Sequence, residues 1–255
     1  MPTRSITHHE QPDGQRRVPG DKRDAEPNRW ETLARENAEF YIKTDLAAGD
    51  EFFASGERDA AHIVTLCARF LPAQSAPHSA ALEIGCGIGR LTLPMARRFG
   101  RVVAVDIAPT MLRRLAENCA ARGTTNVTPR LAAEAWERDG PIDFAYSRIV
   151  FQHIAAWSAV DDYLRRISRC LSQSGICYAQ FDTRPATPLY HLKNALPDAV
   201  LPRTWRRGVR RIRRGMASIR DSAASAGLSV LLERGAGTYD TELVFGKAGS
   251  GPPAR

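Results

Sequence analysis

The sequence lacks a long apolar run. No hydrophobic stretch reaches the roughly 18 residues of a membrane-spanning helix. The N-terminus also lacks the apolar core of a secretory signal. Hydrophobic residues nevertheless make up 43% of the 255 positions, which is enough for a sizeable buried core. We therefore expect a soluble, cytoplasmic protein of one large domain or two small ones.

Cysteine is scarce and scattered, and the sequence has no internal repeats. The five cysteines are Cys67, Cys86, Cys119, Cys170 and Cys177. Their number is odd and no C-x-x-C pair occurs, which argues against a disulfide framework and against a cysteine zinc site. We expect most of them to be small buried side chains, and we expect no metal site.

Acidic residues are missing from one strongly basic stretch. Residues 203–214 hold seven arginines and no acid, and the net charge of +8 depends on them. The charge therefore does not support a nucleic-acid footprint over the whole protein, but it allows a local contact with an anionic group. Trp205, Val209, Ile212 and Met216 recur at helical spacing. They fit a lid or surface helix that meets an anionic substrate or membrane, or a packed helix with a solvated basic face.

The two ends of the chain differ in character from its middle. We expect residues 1–28 to be a disordered polar tail and residues 248–255 a flexible one. Helical patterns from Asn28 and from Asp50 to Phe70 predict an N-terminal helical cap over 29–72. The remaining part, 73–247, is expected to form one domain with a basic helical insertion at 183–216, after the fifth strand.

Strands and helices alternate through this domain. Strands are predicted at 80–84, 101–106, 127–131, 142–146, 176–181, 228–232 and 239–245. Helices are predicted at 90–99, 109–122, 161–171 and 218–226. This order predicts an α/β fold with a doubly wound, mostly parallel seven-stranded sheet and helices on both faces.

A glycine-rich loop follows the first strand of the domain. Gly85, Gly87 and Gly89 lie between a strand that ends in Glu83-Ile84 and the start of a helix, and the next strand ends in Asp106. Glycines allow a ligand to approach the backbone, and a helix N-terminus favours anionic groups. A dinucleotide site is the rival interpretation. However, the third glycine comes one residue earlier than in G-x-G-x-x-G, and Glu83 disfavours a pyrophosphate.

These segments resemble a known family. Leu82–Arg90 and Val103–Leu112 are similar to the first two motifs of class I S-adenosylmethionine (SAM)-dependent methyltransferases, and Asp143–Ile154 and Tyr163–Gly175 are similar to later ones. The resemblance covers roughly residues 80–182 well and the rest from residue 28 more loosely. It implies a Rossmann-like fold and SAM as the cofactor.

The resemblance also implies roles for individual residues. The backbone of Gly85 and Gly87 would line the methionine part of SAM, and Glu83 would organise the loop and the amino group. Asp106 would hold the ribose, and Ile107 would pack on the adenine. The other candidates from these motifs are Cys86, Gly89, Arg90, Met111 and Ser147. One stretch departs from the family, which usually has Gly-Asp after the third strand. Here Ala133-Glu134 stands there, so either Glu134 substitutes or backbone groups suffice.

Two residues are candidates for catalysis. His153 follows the fourth strand and Asp182 ends the fifth, both at the edge of the sheet where an acceptor should enter. Either could serve as a general base towards a hydroxyl acceptor, and His153 could instead merely pack or cap the next segment.

We expect transfer of a methyl group to oxygen of a small-molecule or glycan- or lipid-linked acceptor, and an anionic acceptor would fit the arginine-rich stretch. A nucleic-acid methyltransferase is one alternative, although Ser147–Val150 stands where amino-methylating members carry N/D-P-P-Y/F. A non-catalytic SAM-binding protein is another, because it would share the same motifs.

Overall fold

The computed structural model describes residues 22–42, 49–71, 79–197, 200–202 and 211–249. Within them, one seven-stranded sheet has the order β3-β2-β1-β4-β5-β7-β6. The strands are β1 Ala80–Ile84, β2 Arg101–Asp106, β3 Val127–Leu131, β4 Ile142–Ser147, β5 Leu171–Phe181, β6 Leu228–Arg234 and β7 Thr241–Lys247. The pairs among β1 to β5 are parallel, and β7 runs antiparallel to β5 and β6. The predicted fold class is confirmed.

Helices cover both faces of this sheet. They are α1 Lys22–Ile42, α2 Asp50–Cys67, α3 Thr92–Ala96, α4 Pro109–Ala121, α5 Trp157–Cys170, α6 Pro188–Ala195 and α7 Met216–Ser225. The ends of α4 follow the sequence closely, because Pro109 suits the first helical position and Gly123 takes a φ of 64° after the last turn. No helix of the described residues is long and apolar enough to cross a membrane.

Several boundaries differ from the sequence predictions. Helix α1 begins at Lys22 rather than Asn28, so the last residues of the expected tail are helical. Lys22, Arg23 and Ala25 are good helix formers, although they show no apolar period. The helix predicted over 90–99 is confined to α3, and α5 begins at Trp157 because its first turn already buries Val160.

The core forms on both sides of the sheet because successive strand residues point to opposite faces. Leu82 and Ile84 belong to a cluster with buried residues of α5 and α7. Ala81 and Tyr146 belong to the opposite cluster, which includes residues of α2 and α3. Burial of both faces explains the continuous apolar runs of these strands.

Hydrogen bonds and close packing hold the two N-terminal helices against the domain. Glu31 of α1 accepts hydrogen bonds from the backbone N–H and the hydroxyl of Thr110, at 3.0 and 2.6 Å, at the start of α4. Gly56 of α2 packs so closely on the domain that an added Cβ would lie 1.9 Å from the carbonyl oxygen of Arg90. The two helices therefore lie where β1 and β2 end.

Candidate active site

A cavity of about 700 Å³ lies beyond the carboxyl ends of β1, β2 and β4. Most of the predicted cofactor-site residues line it, namely Glu83, Gly85, Cys86, Gly87, Arg90, Asp106, Ile107 and Met111. His153 lines the same cavity. The sheet edge thus brings together residues from four separate segments, as expected for a doubly wound fold.

The glycine loop turns sharply where β1 ends. The N–H groups of Gly85 and Cys86 donate to the carbonyl of Val105 at 2.8 and 3.0 Å, which joins the loop to β2. Gly85 and Gly87 have φ of 76° and 53°, values that favour glycine. A Cβ on Gly85 would lie 2.3 Å from Cγ2 of Val150, so glycine is also needed for packing.

Asp106 is held in one orientation at the end of β2. Its Oδ2 accepts from the N–H of Gly87 at 2.8 Å, and its Oδ1 accepts from the N–H of Ala108 at 3.0 Å. Burial raises the pKa of Asp106, and these backbone hydrogen bonds act in the opposite direction. Each carboxylate oxygen keeps a further acceptor position, so the fixed side chain can receive hydroxyl groups of a ligand.

Glu83 is the most perturbed carboxyl group of the cavity. Its Oε2 accepts from the hydroxyl of Thr92 at 2.6 Å and from that of Tyr146 at 3.0 Å. Burial raises the pKa of Glu83 from its ordinary 4.5 to about 8. Because both hydroxyls donate to the same oxygen, the proton of the neutral acid belongs on Oε1. A cationic group in the cavity would remove that proton and stabilise the carboxylate.

Arg90 connects the glycine loop to the N-terminal helices. Its Nη1 lies 2.6 Å from Oδ2 of Asp59 and 3.2 Å from Oγ of Ser55, and its side chain is almost wholly buried. Helix α1 contributes three further lining residues, Trp30, Tyr41 and Ile42. Sequence reasoning placed the aromatic residues on a helix but assigned them no part in the site.

Three of the predicted cofactor-site residues do not line the cavity. Gly89 packs on α4, where an added Cβ would lie 2.7 Å from Cδ1 of Leu115. Ser147 is buried and donates to the carbonyl of Ile84 at 3.1 Å. Glu134 is exposed, and at this point Ala132 and Ala133 line the cavity. Glu134 itself does not contribute to the lining.

Arg166 of α5 organises the loop after β3 instead. Its guanidinium donates to the carbonyl of Ala132 at 2.9 Å and to that of Glu134, pairs with Glu137 and stacks 4.1 Å above the ring of Trp136. Arg166 also lines the cavity. No sequence signal distinguished it from the other arginines of α5, because its role depends on the packing of α5 against this loop.

A chain of hydrogen bonds that starts at the backbone of Ile149 ends at the ring of His153. The N–H of Ile149 donates to Oε1 of Gln180 at 2.8 Å, and Nε2 of Gln180 donates to the carbonyl of Tyr239 and to Oε1 of Gln152. The two backbone groups fix the orientation of Gln180, so Nε2 of Gln152 must donate to Nε2 of His153, 3.2 Å away.

This chain has a consequence for the chemistry of His153. The neutral ring carries its proton on Nδ1, which is buried, and a protonated ring would set Nε2–H against an N–H of Gln152. The general-base role considered from the sequence stays a prediction, and it would require Gln152 to release Nε2 of His153. Ile149, the first donor of this hydrogen-bond chain, has a φ of 60°, which is an uncommon value for a β-branched residue.

Asp182 lies outside the cavity lining. It is fully buried at the end of β5, where its carboxylate pairs with Arg184 at 2.5 Å and its carbonyl accepts from the N–H of Arg214 at 2.9 Å. The side chain is thus occupied by a neighbouring arginine. The structure brings His153 to the cavity but not Asp182.

The arginine-rich segment is only partly described. Residues 203–210, with Trp205 and Val209, lie outside the described residues. The helical pattern does not continue through Ile212, because residues 211–214 form no helix. The N–H of Ile212 donates to the carbonyl of Gln152 at 2.6 Å. The backbone of Arg213 forms an isolated parallel β-bridge with the backbone of Asp182. Helix α7 begins only after Gly215, at Met216.

Together, these residues define a doubly wound α/β domain with a cavity at the point where the strand order reverses, between β1 and β4. Within the described residues, no group of three or more histidine, cysteine or acidic side chains could hold a metal ion. Residues 81–175 match the family model described as "Methyltransferase domain". The matched segment is 95 of the 255 residues and includes the glycine loop and Asp106.

Curated relatives match over short segments. The 23S rRNA (uracil(1939)-C(5))-methyltransferase RlmD of Klebsiella pneumoniae is 34% identical over 71 residues, which are 25% of this chain and 16% of that protein. The matched part of the chain therefore spans less than a fifth of that relative's length.

Solved structures match over most of the chain. The magnesium protoporphyrin IX methyltransferase of Synechocystis PCC 6803 with bound SAH has a TM-score of 0.62 at 16% identity, covering 89% of this chain and 100% of that one. The mitomycin 7-O-methyltransferase MmcR has a TM-score of 0.56 at 16% identity, covering 86% and 60%. At these identities the likeness shows the fold.

Proposed function

We propose that this protein transfers a methyl group from SAM to an oxygen atom of a small-molecule or carrier-linked acceptor. The observation that carries the proposal is the single cavity shared by the glycine loop, the two acids Glu83 and Asp106, and the aromatic wall of α1. Its volume of about 700 Å³ falls within the range of small-molecule sites, about 300–1,000 Å³.

The residues present fit SAM. Asp106, oriented by two backbone N–H groups, would accept the ribose hydroxyls, and Glu83 would face the amino group. Ile107 and the backbone of Ala132 and Ala133 would surround the adenine. The bound sulfonium supplies an activated methyl group and its own leaving group. What this chain contributes is the alignment of the two reactants, which can supply several kcal/mol of the barrier reduction.

The nature of the cavity supports oxygen in preference to a pyrimidine carbon. Methylation at such a carbon needs prior attack on the ring by a nucleophile such as a thiolate. All five cysteines are buried, and burial raises the pKa of Cys86, which lines the cavity, well above its ordinary value. The likeness to RlmD therefore supports common ancestry of the SAM-binding segment more than a common acceptor.

His153 is the residue that we propose to place the acceptor. Its ring meets that of Trp30 edge-on, with centroids 6.0 Å apart, and both residues line the cavity. The hydrogen-bond chain through Gln152 and Gln180 holds the ring in one orientation. We infer that His153 acts as a positioning residue rather than as a general base.

The acceptor class can be tested with SAM that carries a deuterated methyl group. The protein is incubated either with a low-mass extract or with deproteinised RNA from the cells that encode it, and products are read by mass spectrometry. We expect the label in an oxygen-linked methyl group of the extract. Label confined to digested nucleosides would overturn the proposal. Asp106→Ala, which should weaken SAM binding by about 1–3 kcal/mol, is the matched control and should lower the labelling.

Two substitutions separate the roles of His153. His153→Ala should lower kcat by about tenfold or more, while His153→Asn, which keeps a polar planar group, should retain most of it. The dissociation constant of SAM should not change in either variant. An equal loss of about a hundredfold in both, with loss of the acidic limb of the pH profile, would instead establish a general base.

A further inference from the structure

The exposed apolar side chains of the described residues are concentrated in one region. Large hydrophobic side chains are exposed at Leu189 (59%), Leu192 (60%), Leu196 (37%), Val200 (68%) and Tyr239 (54%). Four of the five belong to the insertion, and α6 buries none of its residues. Exposed apolar side chains that are concentrated in one short segment indicate a contact with another body.

The same region carries the net charge of the protein. Residues 183–216 hold nine lysines and arginines and one aspartate, which leaves 27 basic and 27 acidic residues in the rest of the chain. The whole excess of +8 therefore belongs to the insertion.

Basic side chains adjoin the exposed apolar ones. The guanidinium of Arg211 lies 5.0 Å from the ring centroid of Tyr239, and that of Arg184 lies 6.0 Å from it. Arg213 lies 4.6 Å from the ring of Tyr190 in α6, whose hydroxyl accepts from the N–H of Arg213. These contacts connect α6, residues 211–213 and Tyr239. We call this region, with Leu189, Leu192, Leu196 and Val200, the insertion surface.

The insertion surface adjoins the active-site cavity. Ile212 bonds to the carbonyl of Gln152, next to His153, and the guanidinium of Arg214 donates to the carbonyl of Ile154. His153 and Ile154 both line the cavity. A body held on the insertion surface would therefore lie beside the rim of the cavity.

We propose that the insertion surface docks on an anionic lipid bilayer. Leucine and tyrosine side chains are stabilised when they enter the interfacial region of a bilayer, and basic side chains are stabilised near anionic headgroups. A second copy of this chain would bring the same positive charge against itself. A nucleic acid would pair with the arginines but would give the exposed leucines no apolar surroundings. A bilayer matches both properties.

The test measures co-sedimentation of the full-length protein with vesicles. Binding to vesicles of phosphatidylglycerol and phosphatidylcholine is compared with binding to phosphatidylcholine alone. We expect binding only to the anionic vesicles. The double variant Leu189→Ser, Leu192→Ser should weaken it by about tenfold or more, through loss of apolar burial. Lys193→Gln with Arg211→Gln should weaken it by a similar factor, and added salt should mimic that change.

Arg58→Gln with Arg113→Gln is the charge-matched control, because both arginines are exposed and lie in α2 and α4. This variant should bind vesicles like the wild type. SAM affinity, measured by calorimetry, should be unchanged in all variants, which shows that each is folded. Vesicle binding needs no turnover, so a failure of the proposed methyl transfer would not alter this result.

Four results would overturn the proposal. The first is absence of binding to anionic vesicles, and the second is equal loss of binding in the control variant. The third is loss with the charge variant but full binding by the leucine variant, which would indicate non-specific attraction. The fourth is a dimer in solution that the leucine variant dissociates, which would make the insertion surface a protein interface.

Discussion

Protonation of Glu83 should make the stability of the protein depend on pH in a defined direction. Burial raises the pKa of Glu83 from 4.5 to about 8, so between these values the folded state binds a proton that the unfolded state has released. The stabilising effect is complete below pH 4.5 and is lost as the pH rises through the folded-state value.

The magnitude follows from the two pKa values. One pKa unit corresponds to about 1.36 kcal/mol, so the free energy of unfolding should fall by about 3 kcal/mol between pH 5 and pH 8 through this group alone. Glu83→Gln keeps an acceptor for Thr92 and Tyr146 but has no proton to lose. Over the same pH range, the free energy of unfolding of the variant should therefore fall by about 3 kcal/mol less than that of the wild type.

The assay is urea denaturation of the protein without ligand, followed by fluorescence at several pH values. Glu117→Gln is the control, because Glu117 is an exposed glutamate in α4. At pH 7, calorimetry in buffers of different ionisation enthalpy should also show a proton released when S-adenosylhomocysteine binds to the wild type, and a smaller release for Glu83→Gln. Equal pH slopes for the wild type and Glu83→Gln would refute the reasoning.

Two further predictions concern the cofactor loop. Asp106→Ala should weaken SAM binding by about 1–3 kcal/mol, the usual value for hydrogen bonds to a charged group, as measured by calorimetry. Gly85→Ala should destabilise the protein and abolish SAM binding, because its Cβ would lie 2.3 Å from Val150 at a φ of 76°. Gly237→Ala has a similar φ of 80° but open space, so it should cost only about 1 kcal/mol in thermal unfolding. Equal effects of the two glycine substitutions would contradict the packing argument.

Local sequence signals were sufficient for most of the sheet and for α4. The bounds of β1, β2 and β3 agree with prediction, because each is a short run whose ends are marked by turn residues or a change of period. The signals failed in the insertion. Helix α6 was not predicted, since its eight residues between prolines are too few for a clear period, although Thr187 caps it by accepting from the N–H of Tyr190.

The start of β5 was also misjudged. A turn was expected near Gly175, yet the strand begins at Leu171, directly after α5. Leu171 pairs with Ile142 of β4, and the register then shifts before Phe144 pairs with Ile176. Gly175 is needed at this irregularity, because an added Cβ would lie 2.6 Å from the carbonyl of Ile142. A glycine in sequence does not reveal whether the chain turns or only shifts register.

The sequence by itself determined the domain type and the cofactor loop, because strand ends, glycines and Asp106 are local features whose spacing is tied to one topology. The tertiary structure alone decided which side chains complete the cavity. Trp30 and Arg166 reach it through the packing of α1 and α5, and the proton position on His153 depends on Gln180, a neighbour only across the sheet. Such contacts arise from the docking of distant segments, and no local period or propensity encodes them.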